Sequence, residues 1–236
     1  MVEALHFTGN EEADALIAAN PFALLVGFVL DQQVSVPVAF AGPLKLKQRL
    51  GGLDAGEIAR LDPERLQEIF RQKPAIHRFP GNMAKRVQEL AAVVDEEYGG
   101  DASRVWHDAA DTTDLKRRLA ALPGFGEMKV KALASVLSRR LGIGLAEPLV
   151  PDHPMLGDVD SPDALAAYQA AKRAYKASLR ASSSRSTTSA STTKPARSSR
   201  RRSSGRRSGA CGSGSSTTPS TTVRSRCHPR RAPPQS

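Results

Sequence analysis

Residues 115–137 read LKRRLAALPGFGEMKVKALASVL. Two helical segments are joined here by Leu122, Pro123, Gly124, Phe125 and Gly126. Pro123 ends the first helix, because proline lacks the amide that a helix interior needs. Gly124 and Gly126 permit positive φ and leave the backbone uncovered. The amides of Gly124, Gly126 and the first turn of the second helix are therefore expected to converge on one anion, which the helix dipole also favours. A phosphate of a nucleic-acid backbone fits such a site, because that contact needs no base identity. Lys129 and Lys131 would add positive charge nearby. An ordinary tight turn between helices has the same Gly-x-Gly pattern, so the stretch alone leaves both readings open.

Working outward, helix signals recur and strand alternation is nearly absent. Glu11 to Ala19 reads as a short helix. Asn20 followed by Pro21 is a cap with proline in the first turn, and it opens an apolar helix of about 21–33. That helix is apolar on most sides, so a central place is expected for it. Ser35 opens a third helix, which Gly42-Pro43 should kink or divide and Gly51-Gly52 should stop. Asp54, Asp62, Asn82 and Thr113 are read as further caps, and Gly99-Gly100 as a stop. A helix of about 126–141 follows the Pro-Gly turn, 142–160 reads as a loop with three prolines, and Ser161-Pro162 opens a last helix. The expectation is an all-α domain of about ten helices with short connections.

Charge and composition divide the chain at about residue 180. Of the 34 Lys and Arg residues, 12 lie in 181–236, where there is no Asp or Glu; the remaining 22 stand against all 24 acids in 1–180. The formal charge of +10 thus belongs to the tail, and the rest is slightly acidic. The tail holds 25 Ser and Thr residues but only Val223 among large aliphatic or aromatic ones. It cannot bury enough apolar surface to offset its ordering entropy, so it is read as disordered. Non-specific attraction to polyanions is what its charge offers. The abrupt shift is also what an out-of-frame reading of a GC-rich gene would give. The domain division is accordingly 1–180, helical, and 181–236, a Ser/Thr/Arg-rich tail.

Both cysteines, Cys211 and Cys227, fall in that tail. This excludes a disulfide framework or a Cys-held zinc or iron–sulfur centre within 1–180. His6, His107 and His153 show no metal-ligand spacing, so neither metal nor cofactor is expected. The start lacks the basic and apolar regions of a secretory signal, and the apolar run from Phe22 to Leu30 is too short to span a bilayer. A cytoplasmic location, nucleoid-associated if the source is bacterial, and a monomeric state without membrane partners are the expectations.

LPGFGEMKVKAL resembles the hairpin of the helix-hairpin-helix (HhH-GPD) DNA glycosylase superfamily, the group of endonuclease III, the adenine glycosylases and methyladenine DNA glycosylase. Upstream, NPFALLVGFVLDQQVSVPVAF resembles the family's PFxxLVxxILxQQxS segment, with Gln32, Gln33 and Ser35 at the matching positions. LDPERLQEIF and GNMAKRVQELAAVV resemble the stretch between the two motifs, so the likeness covers about residues 15–140. It implies a two-lobed fold with a cleft. It implies a hairpin, Leu122 to Gly126, that grips duplex DNA, and a damaged or mismatched nucleotide flipped into the cleft. Gln32 and Gln33 would fill the gap in the duplex or bond to base edges. An Asp beyond the hairpin helix would drive cleavage of the N-glycosidic bond by stabilising the developing sugar cation and activating water.

Two departures from the family pattern matter. Members that also cut the strand carry a Schiff-base Lys two positions after the second hairpin glycine; here that position is Met128. Lys129 is one residue further, about 100° around the helix, so the resemblance favours a monofunctional glycosylase, with Lys129 on a phosphate or in solvent. The Asp has three candidates, Asp152, Asp158 and Asp160. LGDVDS ahead of a helix looks most like the family's pattern, which favours Asp158. If none of the three is catalytic, the chain would be a DNA-binding protein that keeps the fold without the chemistry. An RNA-binding role carried by the tail is a further alternative. Trp106 is expected in the core, and His77 with Arg78 in a surface turn.

Overall fold

The computed structural model describes residues 2–186, with backbone alone for 179–186. Eleven α-helices and two 3-10 turns make up the described residues, without a strand among them. The helices are α1 Glu11–Ala19, α2 Pro21–Leu30, α3 Val36–Phe40, α4 Gly42–Leu50, α5 Ala55–Arg60, α6 Pro63–Arg71, α7 Pro80–Tyr98, α8 Arg104–His107, α9 Thr112–Ala121, α10 Glu127–Arg139 and α11 Pro162–Ser186. The 3-10 turns, Gly144–Leu149 and Leu156–Asp158, lie in the segment read as loop. The last helix runs through residue 180 to Ser186, so the composition shift there is not a break in the backbone. The rest of the tail, 187–236, lies outside the described residues, and so does the expectation of its disorder.

Short polar side chains set the helix starts. Asn10, Asn20, Asp54, Asp62 and Asp111 each accept a hydrogen bond from an amide in the first turn of the helix that follows. Asp111 takes the role expected of Thr113. Asn82 caps nothing: α7 begins at Pro80, whose missing amide costs nothing at a helix start. Gly51 and Gly99 close α4 and α7 in the left-handed region, where a side chain would be strained. The break near Gly42-Pro43 falls at Ala41.

Helix α2 is the centre of the core. All its residues from Phe22 to Leu30 are buried. Each large one contributes about 1.5–3 kcal/mol by leaving water. Gly27 lies so close to the Phe40 ring that a Cβ there would collide with it. One group of packed helices comprises α1 to α7: α1, α3, α4 and α7 lie on α2, and α5 and α6 on α7. Buried Asp14 ties the N-terminal segment to α1, accepting from the Phe7 amide at 3.0 Å and the Thr8 amide at 2.9 Å. In the second group α8 packs on α9, α10 meets α9 and both 3-10 turns, and α11 leans on the second turn. The groups meet along α2. Its Pro21 end faces Arg140 and Leu141 across one groove, and its Leu30 end faces Lys129 across another. Trp106 is buried as expected and borders the first groove.

Among the described residues no single helix is long and apolar enough to cross a membrane.

Candidate functional site

The hairpin between α9 and α10 is held from below and open above. Leu122 and Phe125 are buried, and the Phe125 amide donates to the Leu122 carbonyl at 3.1 Å. The Phe125 ring packs on Phe28 of α2, 6.2 Å between centroids, which fixes the hairpin to the central helix. Gly124 has φ +82°, so the turn does require glycine there. Gly126 differs from the expectation: its φ is −81°, an extended conformation open to any residue. A Cβ at either glycine would meet nothing within 4 Å. The amides of Gly124, Gly126, Glu127 and Met128 donate to no backbone carbonyl, and no side chain caps α10. Uncovered, unpaired amides at a helix start are what an anion site needs.

The two lysines expected to flank that anion do other things. Lys131 is tied to Glu127 one turn away, Nζ to Oε1 2.7 Å, so its charge is largely spent within α10. The same pairing holds the Glu127 carboxyl below its usual range. Lys129 turns inward rather than toward phosphate or solvent. Its Nζ donates to the Val29 carbonyl at the end of α2, 3.3 Å away, and lies 6.0 Å from the centre of the Phe125 ring. Burial pushes its amine down to about 8, against the pull of Asp31 and with the help of Arg86.

Lys129 borders a cavity of about 390 Å³ between the end of α2, the start of α10, the segment 153–155 and α11. Its walls include Phe28, Met128, Tyr168 and a His153–Tyr175 pair stacked at 4.7 Å. Met128, the residue at the Schiff-base position, is 62% exposed and opens onto the same cavity, so one turn of α10 presents both side chains to it. Asp31, the residue that ends α2, also faces this space. Burial raises its carboxyl above the usual value, opposed by Lys172, Lys129 and Lys176. Asp31 carries no sequence signal of its own: it follows the apolar run of α2 and sits one position before the Gln pair.

Helix α2 stops at Leu30, not at 33, so the Gln pair lies on the turn beyond it. Gln32 is committed internally. Its Nε2 donates to the Val29 carbonyl at 3.1 Å, its Oε1 accepts from Arg86 at 2.5 Å, and its carbonyl meets His77 Nε2 at 3.0 Å. Gln33 is exposed, and its φ of +56° is rare for a side chain larger than glycine. Arg78 reaches its carbonyl at 3.5 Å and lies over the exposed Phe79 ring. His77 is only 2% exposed and buttresses the Gln32 turn, which corrects the expectation of a surface turn. Burial holds its pKa below the ordinary histidine value, against the hydrogen bond to Gln32.

Asp158, the residue favoured for catalysis, does not border the cavity. Its Oδ2 accepts from the Met155 amide at 2.8 Å, closing the 3-10 turn, and its Oδ1 pairs with Arg139. Both oxygens are engaged because the turn must dock on α10, where Gly157 lies directly against the Ser135 backbone. Asp160 is exposed just before the Ser161 cap of α11. Asp152 is exposed, makes no hydrogen bond or ion pair among the described residues, and immediately precedes the cavity-lining His153. No cluster of His, Cys, Asp or Glu fit to hold a metal ion occurs among the described residues.

No curated protein and no solved structure matches the chain. The family model for the HhH-GPD superfamily base excision DNA repair protein matches residues 26–178, a span that takes in the end of α2, the hairpin, the cavity and most of α11. The chain belongs to the HhH-GPD superfamily of base excision DNA repair proteins.

Proposed function

We propose that the chain is a DNA glycosylase that hydrolyses the N-glycosidic bond of a damaged or mismatched base in duplex DNA. The observation that carries this reading is the cavity of about 390 Å³ that starts where the hairpin helix starts. A duplex gripped through the amides of Gly124 to Met128 has its backbone beside that cavity. A nucleotide rotated out of the stack has an aromatic-walled space to enter. Gln33, exposed on its turn next to Arg78 and Phe79, is the side chain available to fill the gap left behind.

Of the three loop acids, Asp152 is unpaired and immediately precedes the cavity-lining His153 in sequence, which supports giving it the role of stabilising the sugar cation and activating water. Asp158 serves the 3-10 turn and Arg139. The test is single-turnover base release from duplexes with one lesion each, with wild type, Asp152→Asn and Asp158→Asn. Asp152→Asn should slow release about a hundredfold or more, while Asp158→Asn should keep most activity and melt at a lower temperature. A slow Asp158→Asn with wild-type melting, beside an active Asp152→Asn, returns the role to Asp158. Tight binding to every duplex with release from none favours the non-catalytic DNA-binding protein.

One observation favours a second reading, a glycosylase that also cuts the strand. The Lys129 amine, at about 8, opens onto the same cavity although the Schiff-base position itself is Met128. Borohydride trapping on a lesion duplex decides: a covalent adduct lost in Lys129→Met supports this reading, and its absence supports hydrolysis alone.

A further inference from the structure

Asp31 has no role in the anion site, in the Gln turn or in the chemistry assigned to Asp152. Its surroundings are unusual for a carboxylate. It terminates the most buried helix of the protein, and its side chain makes no hydrogen bond and no ion pair among the described residues. Yet it borders the cavity together with three amines, Lys129, Lys172 and Lys176. Burial makes its charge costly, the three amines offset part of that cost without bonding to it, and its oxygens are left for something that enters the cavity.

We infer that Asp31 is a specificity-determining residue that accepts hydrogen bonds from the edge of the extruded base, and that it selects bases presenting two adjacent N–H donors. An ionised carboxylate accepts only, through two oxygens whose spacing matches a ring N–H beside an amino group. A guanine-type edge offers this pair. A uracil-type edge offers one N–H between two carbonyls, and those oxygens would face the carboxylate with like partial charge. The walls supply what the ring needs: Phe28, Tyr168 and the stacked His153 and Tyr175 provide apolar and aromatic surface for it. Asp31 borders the cavity at the end of α2. Lys172, whose Nζ is 3.0 Å from the Tyr168 hydroxyl, and the exposed Lys176 lie on α11, where the flanking phosphates would pass.

The duplex arm of the test rests on the glycosylase reading, and the nucleoside arm does not. In the nucleoside arm, guanosine and uridine are titrated separately into the full chain, wild type and Asp31→Asn, and binding is followed by saturation-transfer NMR. Wild type should favour guanosine about tenfold or more, and Asp31→Asn should bring the two within about twofold, since one oxygen becomes a donor. In the duplex arm, release of 8-oxoguanine is compared with release of uracil, and the ratio should shift in the same direction. A melting curve of each variant checks that the fold is kept; Asp31→Ser is the second variant should the amide perturb the turn. Equal binding of both nucleosides by wild type, or an unchanged ratio in both variants, overturns the assignment. A guanosine preference that depends on Asp31, with no base released from any duplex, upholds Asp31 and removes the glycosylase reading. Base release with an unchanged ratio removes Asp31 alone.

Discussion

Lys129 has surroundings that its neighbours in sequence do not indicate. Counted from Gly126 it falls beside the Schiff-base position and off its face, which suggests solvent or phosphate. The fold places the end of α2 across from α10, and the side chain is desolvated against the Val29 carbonyl. Its amine is held at about 8, below the ordinary 10.5. Between these values the unfolded chain would bind the proton and the folded chain would not. The group's contribution to stability therefore rises with pH across that window and is lost as pH falls through about 8. Competitive labelling with acetic anhydride measures this directly. Lys129 should reach half its maximal reactivity near pH 8. Half-reactivity of Lys129 near 10.5 instead would show that the cavity is wet and open rather than desolvating. The Gln pair teaches the same lesson: adjacent and identical in type, Gln32 is tied down by Arg86 and His77 while Gln33 stays exposed.

At the scale of the element, the two hairpin glycines separate into different tasks. Gly124 is glycine for its φ of +82°, and Gly126 only for the bareness of its amide. Gly126→Ala should leave stability within about 0.5 kcal/mol, since the added Cβ meets nothing and the conformation is ordinary. It should weaken duplex binding nonetheless, by crowding the anion over α10. Gly124→Ala should cost roughly 1–2 kcal/mol of stability in addition, the penalty for a side chain in the left-handed region. Urea denaturation and duplex titration of the two variants check this. Equal stability loss in both would mean the turn is remodelled, and unchanged duplex affinity in both would mean the phosphate sits elsewhere. The 3-10 turn Leu156–Asp158 is the opposite kind of element. Its Asp158 satisfies the turn's own amide and Arg139, so an acid that resembles a catalytic residue in sequence is consumed by architecture.

At the scale of the whole molecule, the domain that carries the site is slightly acidic and the basic excess lies beyond it. Removing 187–236 takes away eleven basic residues and leaves every described residue of α11 in place. Base release under single-turnover saturation should be unchanged in the shortened chain, while duplex affinity should fall and depend less steeply on salt. An unchanged salt slope would show that the tail does not touch DNA. Much is legible along the chain: the all-helical class, most helix starts, the buried course of α2, the hairpin, and the family. These rest on local chemistry, since caps, prolines, glycines and apolar spacing act within one or two turns of chain. Which side chains share a space comes from the packing alone. Asp31, Lys129, His153 and Tyr175 are far apart along the chain, and nothing in their own neighbourhoods marks them as companions. The same is true of Asp158 and Arg139, whose pairing has no mark in the sequence. Burial and partnership are properties of the packing of α2, α10 and α11 against one another, and charge cost and hydrogen-bond availability follow from that packing rather than from spacing in the sequence.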